Sequence, residues 1–306
     1  MSLADLPRYE LTHCRSLDAL CELLAKRHLA AEQTVLLCGG TDWLVEREAE
    51  PVRPAEARLP MVVDISRMNE LRSIDLVQGA ADGGGDVLRI GAATTYLELR
   101  RSAVITERAP LLARMSQDVG AVQIQARGTL GGNLATASPA ADGVAALAAY
   151  DADVVVQSVR GKRVIPMEEL QTGYKKSKRA ADEVIVAVHI ALPAAGSPWV
   201  WRKVGTRRAQ AISKVALAGV AELSDGRAVR CGLGMASVAP VTALMQKTRA
   251  LVRSKPLAEI TGADVDRVVE ADVFPIDDVR STRDYRLHCA RAVTRGWLRT
   301  LGAKID

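Results

Sequence analysis

Two glycine pairs constrain this sequence more than any other feature. The first lies in Leu37-Cys38-Gly39-Gly40-Thr41-Asp42, directly after a β-patterned run from Thr34 to Leu37, so it ends a strand and does not interrupt a helix. The second, Gly131-Gly132, is embedded in residues 128–142, of which only Asp142 carries charge. Backbone can approach a multiply charged anion closely only where side chains are absent. Consecutive glycine amides therefore suit a pyrophosphate, with the Thr41 hydroxyl as a further donor. Around the second pair, Gly128, Thr129, Asn133, Thr136 and Ser138 are small or neutral. Their short polar groups suit hydrogen bonds to a phosphate and a polyhydroxyl chain better than acid–base catalysis. Either pair alone reads equally well as a turn. Two of them about 90 residues apart, one in an almost uncharged setting, point to a dinucleotide site.

Competing nucleotide motifs fail. No G-x-x-x-x-G-K-[ST] occurs, which argues against a P-loop. Gly232-Leu233-Gly234 begins like a Rossmann fingerprint but lacks its last glycine and sits in a strand-like run, where close packing is the simpler reading.

A chain of 306 residues with 48% hydrophobic content can bury two medium cores, so two lobes are expected. The net charge of +5 is diluted by 36 acidic residues among 41 basic ones. The basic clusters at residues 175–179 and 202–208 lack aromatics at stacking spacing, so no nucleic-acid partner is expected. Five dispersed cysteines form no C-x-x-C pair, which argues against an iron–sulfur cluster or zinc in this chain. The opening residues show neither a basic nor an apolar leader segment, and no apolar run is long enough to span a bilayer; the expectation is a cytoplasmic protein.

Periodicity predicts a helix capped by Ser16 and ending near His28, and strands at 34–37, 61–64, 72–77 and 87–90. The turn Asp82-Gly83-Gly84-Gly85-Asp86 reads as hairpin chemistry. Helices are expected at 95–99, 110–118 and 142–150, a buried strand at 153–159, and an irregular stretch at 125–142. Beyond Gly173 come strands at 183–192, 199–204 and 212–223, a hairpin turn at Asp225-Gly226, a strand at 228–238, and a final core-docking helix at 282–301. The lobes are expected to divide into 1–177 and 178–306.

At the loops the sequence closely resembles the FAD-binding subunits of the xanthine dehydrogenase and aerobic carbon monoxide dehydrogenase family. That family's A-G-G-T-D-L is matched by Cys38 to Trp43, and its R-G-T-I-G-G-N-x-x-x-x-S-P-x-x-D by Arg127 to Asp142. Its I-G-A-x-T-T, G-Y-R-K and P-x-x-D-x-R correspond to the runs at 90–95, 173–176 and 275–280, so the resemblance covers nearly the whole chain. It implies an α+β flavoprotein whose two-lobed FAD-binding domain is of the vanillyl-alcohol-oxidase (PCMH) type, followed by a smaller α+β domain.

Carried over residue by residue, Leu36, Leu37, Cys38, Gly39, Gly40, Thr41, Asp42 and Trp43 would line one side of FAD. Gly128, Thr129, Gly132, Asn133, Thr136, Ser138 and Asp142 would line the other, with Ile185 and Lys203 as further contacts. Cys38 and Trp43 depart from the family's alanine and small aliphatic. Asp142 suits both helix capping and a cofactor hydrogen bond; Tyr174 suits packing as well as approach to the flavin. The four histidines lie outside both loops, which argues against a histidyl-linked flavin.

The implied role is electron transfer. Substrate would be hydroxylated at a molybdopterin centre on a large subunit, electrons would cross two [2Fe–2S] clusters on a small one, and FAD here would deliver them to NAD⁺, a quinone or O₂. The resemblance implies a doubled heterotrimer and no catalytic acid, base, nucleophile or metal in this chain. A stand-alone FAD oxidase or reductase is the second reading, and a non-enzymatic binding module of the same fold the third.

Overall fold

The computed structural model of the chain describes residues 3–81 and 84–305. Parallel strands need long crossovers, and the first part of the chain supplies two of them. Strand β1 (Leu11–His13), helix α1 (Leu17–Leu29), β2 (Thr34–Leu37), α2 (Trp43–Ala49) and β3 (Met61–Asp64) make a three-stranded parallel sheet in the order β1-β3-β2. Ser16 caps α1 by accepting from the Ala19 amide, and Leu17, Leu20, Cys21 and Leu24 turn inward. Helix α2 was not anticipated from the sequence; none of its residues is buried, so its apolar positions carry no periodic signal.

Next come β4 (Ile74–Val77), β5 (Val87–Gly91), and the helices α3 (Tyr96–Arg101), α4 (Ala103–Arg108), α5 (Pro110–Ser116), α6 (Val122–Gln125), α7 (Leu130–Thr136) and α8 (Asp142–Ala149). They are followed by β6 (Asp153–Ser158), β7 (Gly161–Pro166), α9 (Met167–Leu170), the two-stranded pair β8 (Gln171–Gly173) and β9 (Lys176–Ser177), and β10 (Val184–Ala191). A five-stranded antiparallel sheet runs β4-β5-β10-β6-β7. Strands β4 and β5 pair across the expected hairpin, although Asp82 and Gly83 of its turn lie outside the described residues.

Two expectations are corrected here. Residues 125–142 are not irregular: Thr129 caps α7 by accepting from the Gly132 amide, and the helix ends at Ala137 in the left-handed region. Glycines 131 and 132 read as breakers because of their low helix propensity, but packing overrides propensity here. A Cβ on Gly131 would lie 2.6 Å from that of Ala92, so only glycine lets α7 settle on the sheet. The second correction concerns β10. It lies between β5 and β6 in the middle of the five-stranded sheet, so residues 184–191 are hydrogen-bonded into the first unit although the 178–306 expectation assigned them to the second.

The second unit holds β11 (Trp199–Val204), β12 (Val215–Ser224) and β13 (Arg227–Ala236) in one antiparallel sheet, covered by α10 (Gln246–Ser254), α11 (Gly262–Asp272) and α12 (Arg283–Thr300). Asp225 and Gly226 both take positive φ, as a tight hairpin turn requires. Gly232 and Gly234 are packing glycines: a Cβ on either would lie 2.1 Å from the Ala149 carbonyl oxygen or 2.3 Å from that of Ala145. The wholly buried α8 therefore rests directly on β13, and Ala216, Ala218, Val220 and Ala236 share a core with the first unit. Arg249 reinforces the seam, donating to Asp151 Oδ1 at 2.5 Å, to the Ala148 carbonyl at 2.8 Å and to the Leu233 carbonyl.

Candidate functional site

Strand β2 delivers its chain to Gly39, whose added Cβ would lie 2.1 Å from the Arg127 carbonyl oxygen and 3.1 Å from Gly128 Cα. The two glycine loops thus touch backbone to backbone. Gly40 follows at φ +74°, a conformation L side chains rarely adopt. Among the described residues, the amides of Gly39, Gly40, Thr41 and Asp42 donate to no protein group. Four consecutive unspent donors at the end of a strand, in residues that line a cleft, suit an anion. Thr136 Oγ1, from α7, donates to Asp42 Oδ2 at 3.1 Å and ties the loops together a second time.

The second loop has the opposite character. Its amides are spent: Leu130 N donates to Thr94 O at 3.0 Å, Gly131 N to Ala92 O at 2.8 Å, Gly132 N to Thr129 Oγ1 at 3.1 Å and Asn133 N to Thr129 O at 3.1 Å. This loop is a packed platform that presents side chains, while the first loop presents backbone.

Both loops line a cleft of ≈ 520 Å³, within the usual range for small-molecule sites. The structure gathers Leu36, Leu37, Cys38, Gly39, Gly40, Thr41, Asp42, Trp43, Gly128, Thr129, Gly132, Asn133, Thr136 and Ile185 along its wall. Trp43 is held in place by Tyr9, edge-on with centroids 5.2 Å apart. Ser138, Asp142 and Lys203 are not part of that wall. Ser138 turns back to accept from the Ala140 amide at 3.2 Å. Asp142 and Lys203 pair with each other at 2.5 Å, and Lys203 also donates to the Asp118 carbonyl at 2.9 Å. Asp142 opens α8 but its side chain makes no capping bond, so of its two expected roles the capping one is not realised.

Burial raises the Asp142 pKa to about 6 even though the Lys203 ammonium opposes the shift. Its Oδ1, the Tyr96 hydroxyl and Asn133 Oδ1 are all buried without a hydrogen-bond partner. A Cβ on Gly143 would lie 2.7 Å from both Tyr96 Oη and Asn133 Oδ1, so glycine there is what lets these two groups come together. Sealed from the cleft as well as from protein donors, these atoms fit a buried water that satisfies them. The carboxylates in the cleft wall are already engaged: Asp42 with Thr136, Glu46 with Lys175 at 2.7 Å, and Glu183 with Arg163 at 2.6 Å. Cys38 is likewise subdued, its thiol pKa raised by burial.

Sequence reasoning missed Tyr96, Val119, Ile124, Lys175 and Arg179, all in the wall. Tyr96 follows the capping box in which Thr95 and Glu98 bond reciprocally, a local signal that announces a helix and not a site. Unspent amides and neutral side-chain donors along one cleft fit a flavin dinucleotide.

Two family models match the chain: FAD binding domain in molybdopterin dehydrogenase, over residues 7–195, and CO dehydrogenase flavoprotein C-terminal domain, over residues 201–301. A putative xanthine dehydrogenase FAD-binding subunit of Escherichia coli (strain K12) is 30% identical, covering 86% of this chain and 87% of that one. The carbon monoxide dehydrogenase medium chain of Hydrogenophaga pseudoflava is 27% identical over 96% of this chain and 98% of its own. A solved carbon monoxide dehydrogenase from the same organism superposes with a TM-score of 0.84 at 25% identity, covering 95% of this chain and 96% of that one.

Proposed function

This chain belongs to the FAD-binding subunits of the molybdenum hydroxylase family, and from that premise we propose that it is the electron-transfer station of such a complex. It is an oxidoreductase subunit, and its cofactor is FAD. Electrons would reach the bound FAD from the [2Fe–2S] clusters of a small subunit and leave it to NAD⁺, a quinone or O₂, with molybdopterin held by a large subunit. The family relatives carry names with different substrates, xanthine and carbon monoxide among them. That variety supports a substrate site on another polypeptide. FAD supplies the redox chemistry when bound; this chain binds and orients it.

The observation that carries the reading is the run of four unspent amides in residues that line the same cleft as the second loop. The Gly39 to Asp42 amides would hold the pyrophosphate, and Asn133 and Thr136 would meet the polyhydroxyl chain. Tyr96 would line the cleft beside them, with the Asp142–Lys203 pair behind the wall. Every carboxylate in the wall has a partner, which favours a relay over a stand-alone oxidase that must remove a proton from substrate. The core that the small parallel sheet and α1 share with the five-stranded sheet supports a vanillyl-alcohol-oxidase (PCMH) type of FAD domain, and we place the domain boundary at residues 192–198, after β10. No helix among the described residues is long and apolar enough to cross a membrane; we place the complex in the cytoplasm, as a doubled heterotrimer.

The test is the isolated chain loaded with FAD and offered, without oxygen, a panel of N-heterocycles and aldehydes. The flavin band should persist until co-expressed large and small subunits are added. Bleaching by any organic substrate with this chain alone would establish the stand-alone reading instead. Size-exclusion of the co-expressed subunits checks the stoichiometry, and reoxidation of the reduced complex by NAD⁺, quinone or O₂ identifies the acceptor.

A further inference from the structure

A second groove, of ≈ 310 Å³, crosses the seam between the two units. The first unit contributes Val144 of α8 and Met167 of α9, and the second contributes Val241, Leu244 and Phe274. Its walls are fixed. Gln171 Oε1 accepts the Thr242 amide at 2.8 Å, which ties one unit's lining to the other's. Asp272 anchors the start of α10, accepting from the Lys247 and Thr248 amides at 3.0 and 2.8 Å, and the Phe274 amide donates to the Val238 carbonyl at 2.7 Å. Among the described residues, the charged members of the lining are Glu168 and Asp272, and neither is paired with a Lys or Arg side chain.

Apolar surface continues outward from this groove. Phe274 is 66% exposed, Ile276 67%, and Val279 wholly exposed. They lie in or beside the family motif at 275–280, none of which lines the flavin cleft. The segment that carries them is pinned. Asp278 Oδ1 accepts from the Arg280 and Ser281 amides at 2.8 and 3.1 Å and from the buried Arg286 at 2.6 Å, and Asp277 Oδ1 accepts from the Arg283 amide at 2.5 Å. Arg286 in turn holds the Lys214 and Ser237 carbonyls. A loop fixed in this way, with large apolar side chains in water, loses little further freedom when a partner covers it. A small-molecule site would enclose its apolar surface; here that surface runs out onto the loop, which fits an extended protein segment. Charge sets the chemistry of the segment. Two unpaired carboxylates and no lining cation are complementary to an apolar side chain flanked by Lys or Arg.

We propose that the seam groove and the 274–279 loop form the docking surface for a partner subunit, which inserts an apolar side chain between basic ones. The inference rests on the reading that the chain works as one subunit of a complex, and the experiment lets the two fail separately. The full chain, tagged and loaded with FAD, is titrated with the purified large and small subunits by biolayer interferometry, as wild type, Phe274→Ser and Glu168→Lys. Phe274→Ser should weaken the binding of one subunit roughly 10- to 100-fold. Glu168→Lys should weaken the same subunit about 3-fold or more, with a larger loss at low salt. Both variants should keep the wild-type flavin absorbance, since neither residue lines the flavin cleft, and this shows that each is folded. In the assembled complex, a photo-crosslinking side chain at position 276 should capture a peptide of that same subunit in which Lys or Arg flanks an apolar residue. Unchanged affinity in either variant, a captured peptide without a basic residue, or a crosslink to a second copy of this chain would overturn the docking surface and leave the subunit reading standing. A wild-type chain that binds neither subunit would overturn both.

Discussion

Replacing Gly39 with alanine tests whether the meeting of the two loops is a requirement of the site. The new Cβ would lie 2.1 Å from the Arg127 carbonyl oxygen and 2.8 Å from its carbon. An ordinary carbon–oxygen contact is about 3.3 Å, so the loops must separate by about 1.2 Å. No rotamer relieves this, because the atoms met are backbone, and Gly128 is anchored by its amide to Ile124 O at 2.6 Å and by its carbonyl to the Tyr96 amide at 3.1 Å. Overpacking of this kind costs about 1–3 kcal/mol, less about 0.4–1 kcal/mol regained from a stiffer unfolded chain. The apo protein should therefore melt on the order of 1–4 °C lower. Loop separation also carries the free amides away from the phosphate. Losing one charge-assisted hydrogen bond, about 1.5–3 kcal/mol, weakens FAD binding by roughly 10- to 100-fold. Gly296→Ala is the matched control, since nothing lies within 4 Å of a Cβ there and it sits inside α12; it should stabilise slightly and leave FAD affinity alone. Thermal melts with and without FAD, plus a flavin fluorescence titration, read both effects. Wild-type FAD affinity in Gly39→Ala would refute the argument that close loop contact positions the amides.

Asp142 makes stability depend on pH in a definite direction. Below pH 3.8 its carboxyl is protonated whether the chain is folded or not; between 3.8 and about 6 only the folded chain keeps the proton, so this contribution to stability falls as pH rises through that window and is flat beyond it. The full effect is on the order of 3 kcal/mol, and urea unfolding at several pH values should show Asp142→Asn gaining by that order on wild type from acid to neutral pH; parallel curves would contradict the assignment. Arg249→Met strips the seam between the units of three acceptor contacts and should lower stability by about 3 kcal/mol, seen as an earlier but still single thermal transition. A second, separate transition would show that the units do not melt together.

The sequence carries its clearest information where local chemistry and tertiary role coincide. Asp225-Gly226 turns as its φ preferences demand, and Ser16 caps α1 as its side chain allows. The glycine loops were legible as a site because their positions after a strand and in an uncharged stretch are visible in one dimension. Which loop spends its amides was not legible: that depends on Thr94 and Ala92 reaching Leu130 and Gly131 from another part of the chain. The same limit hid α7, whose glycines are tolerated only because Ala92 lies beneath. Strand β10 reads as a strand, but an apolar run carries no address, so its place between β5 and β6 had to come from the structure. Asp142 and Lys203 came as cofactor contacts by resemblance; the structure pairs them with each other behind the wall. Arg179 and Tyr96 were missed because a single side chain gives no pattern until a cleft gathers it.

The glycines of β13 limit more than side-chain size. With the Ala145 and Ala149 carbonyls of α8 packed against Gly234 and Gly232, rotation of one unit on the other would drive helix backbone into strand backbone. So close a seam opposes the hinge that two matched family segments would suggest. A chimera that exchanges residues 201–301 for those of a relative must keep small residues at both positions. Any other choice would lift α8, and with it the 142–149 backing of the cleft, away from the second unit. The C-terminal unit thus serves the flavin site as its foundation: among the described residues none of its side chains lines the cleft, and Lys203 reaches Asp142 behind the wall.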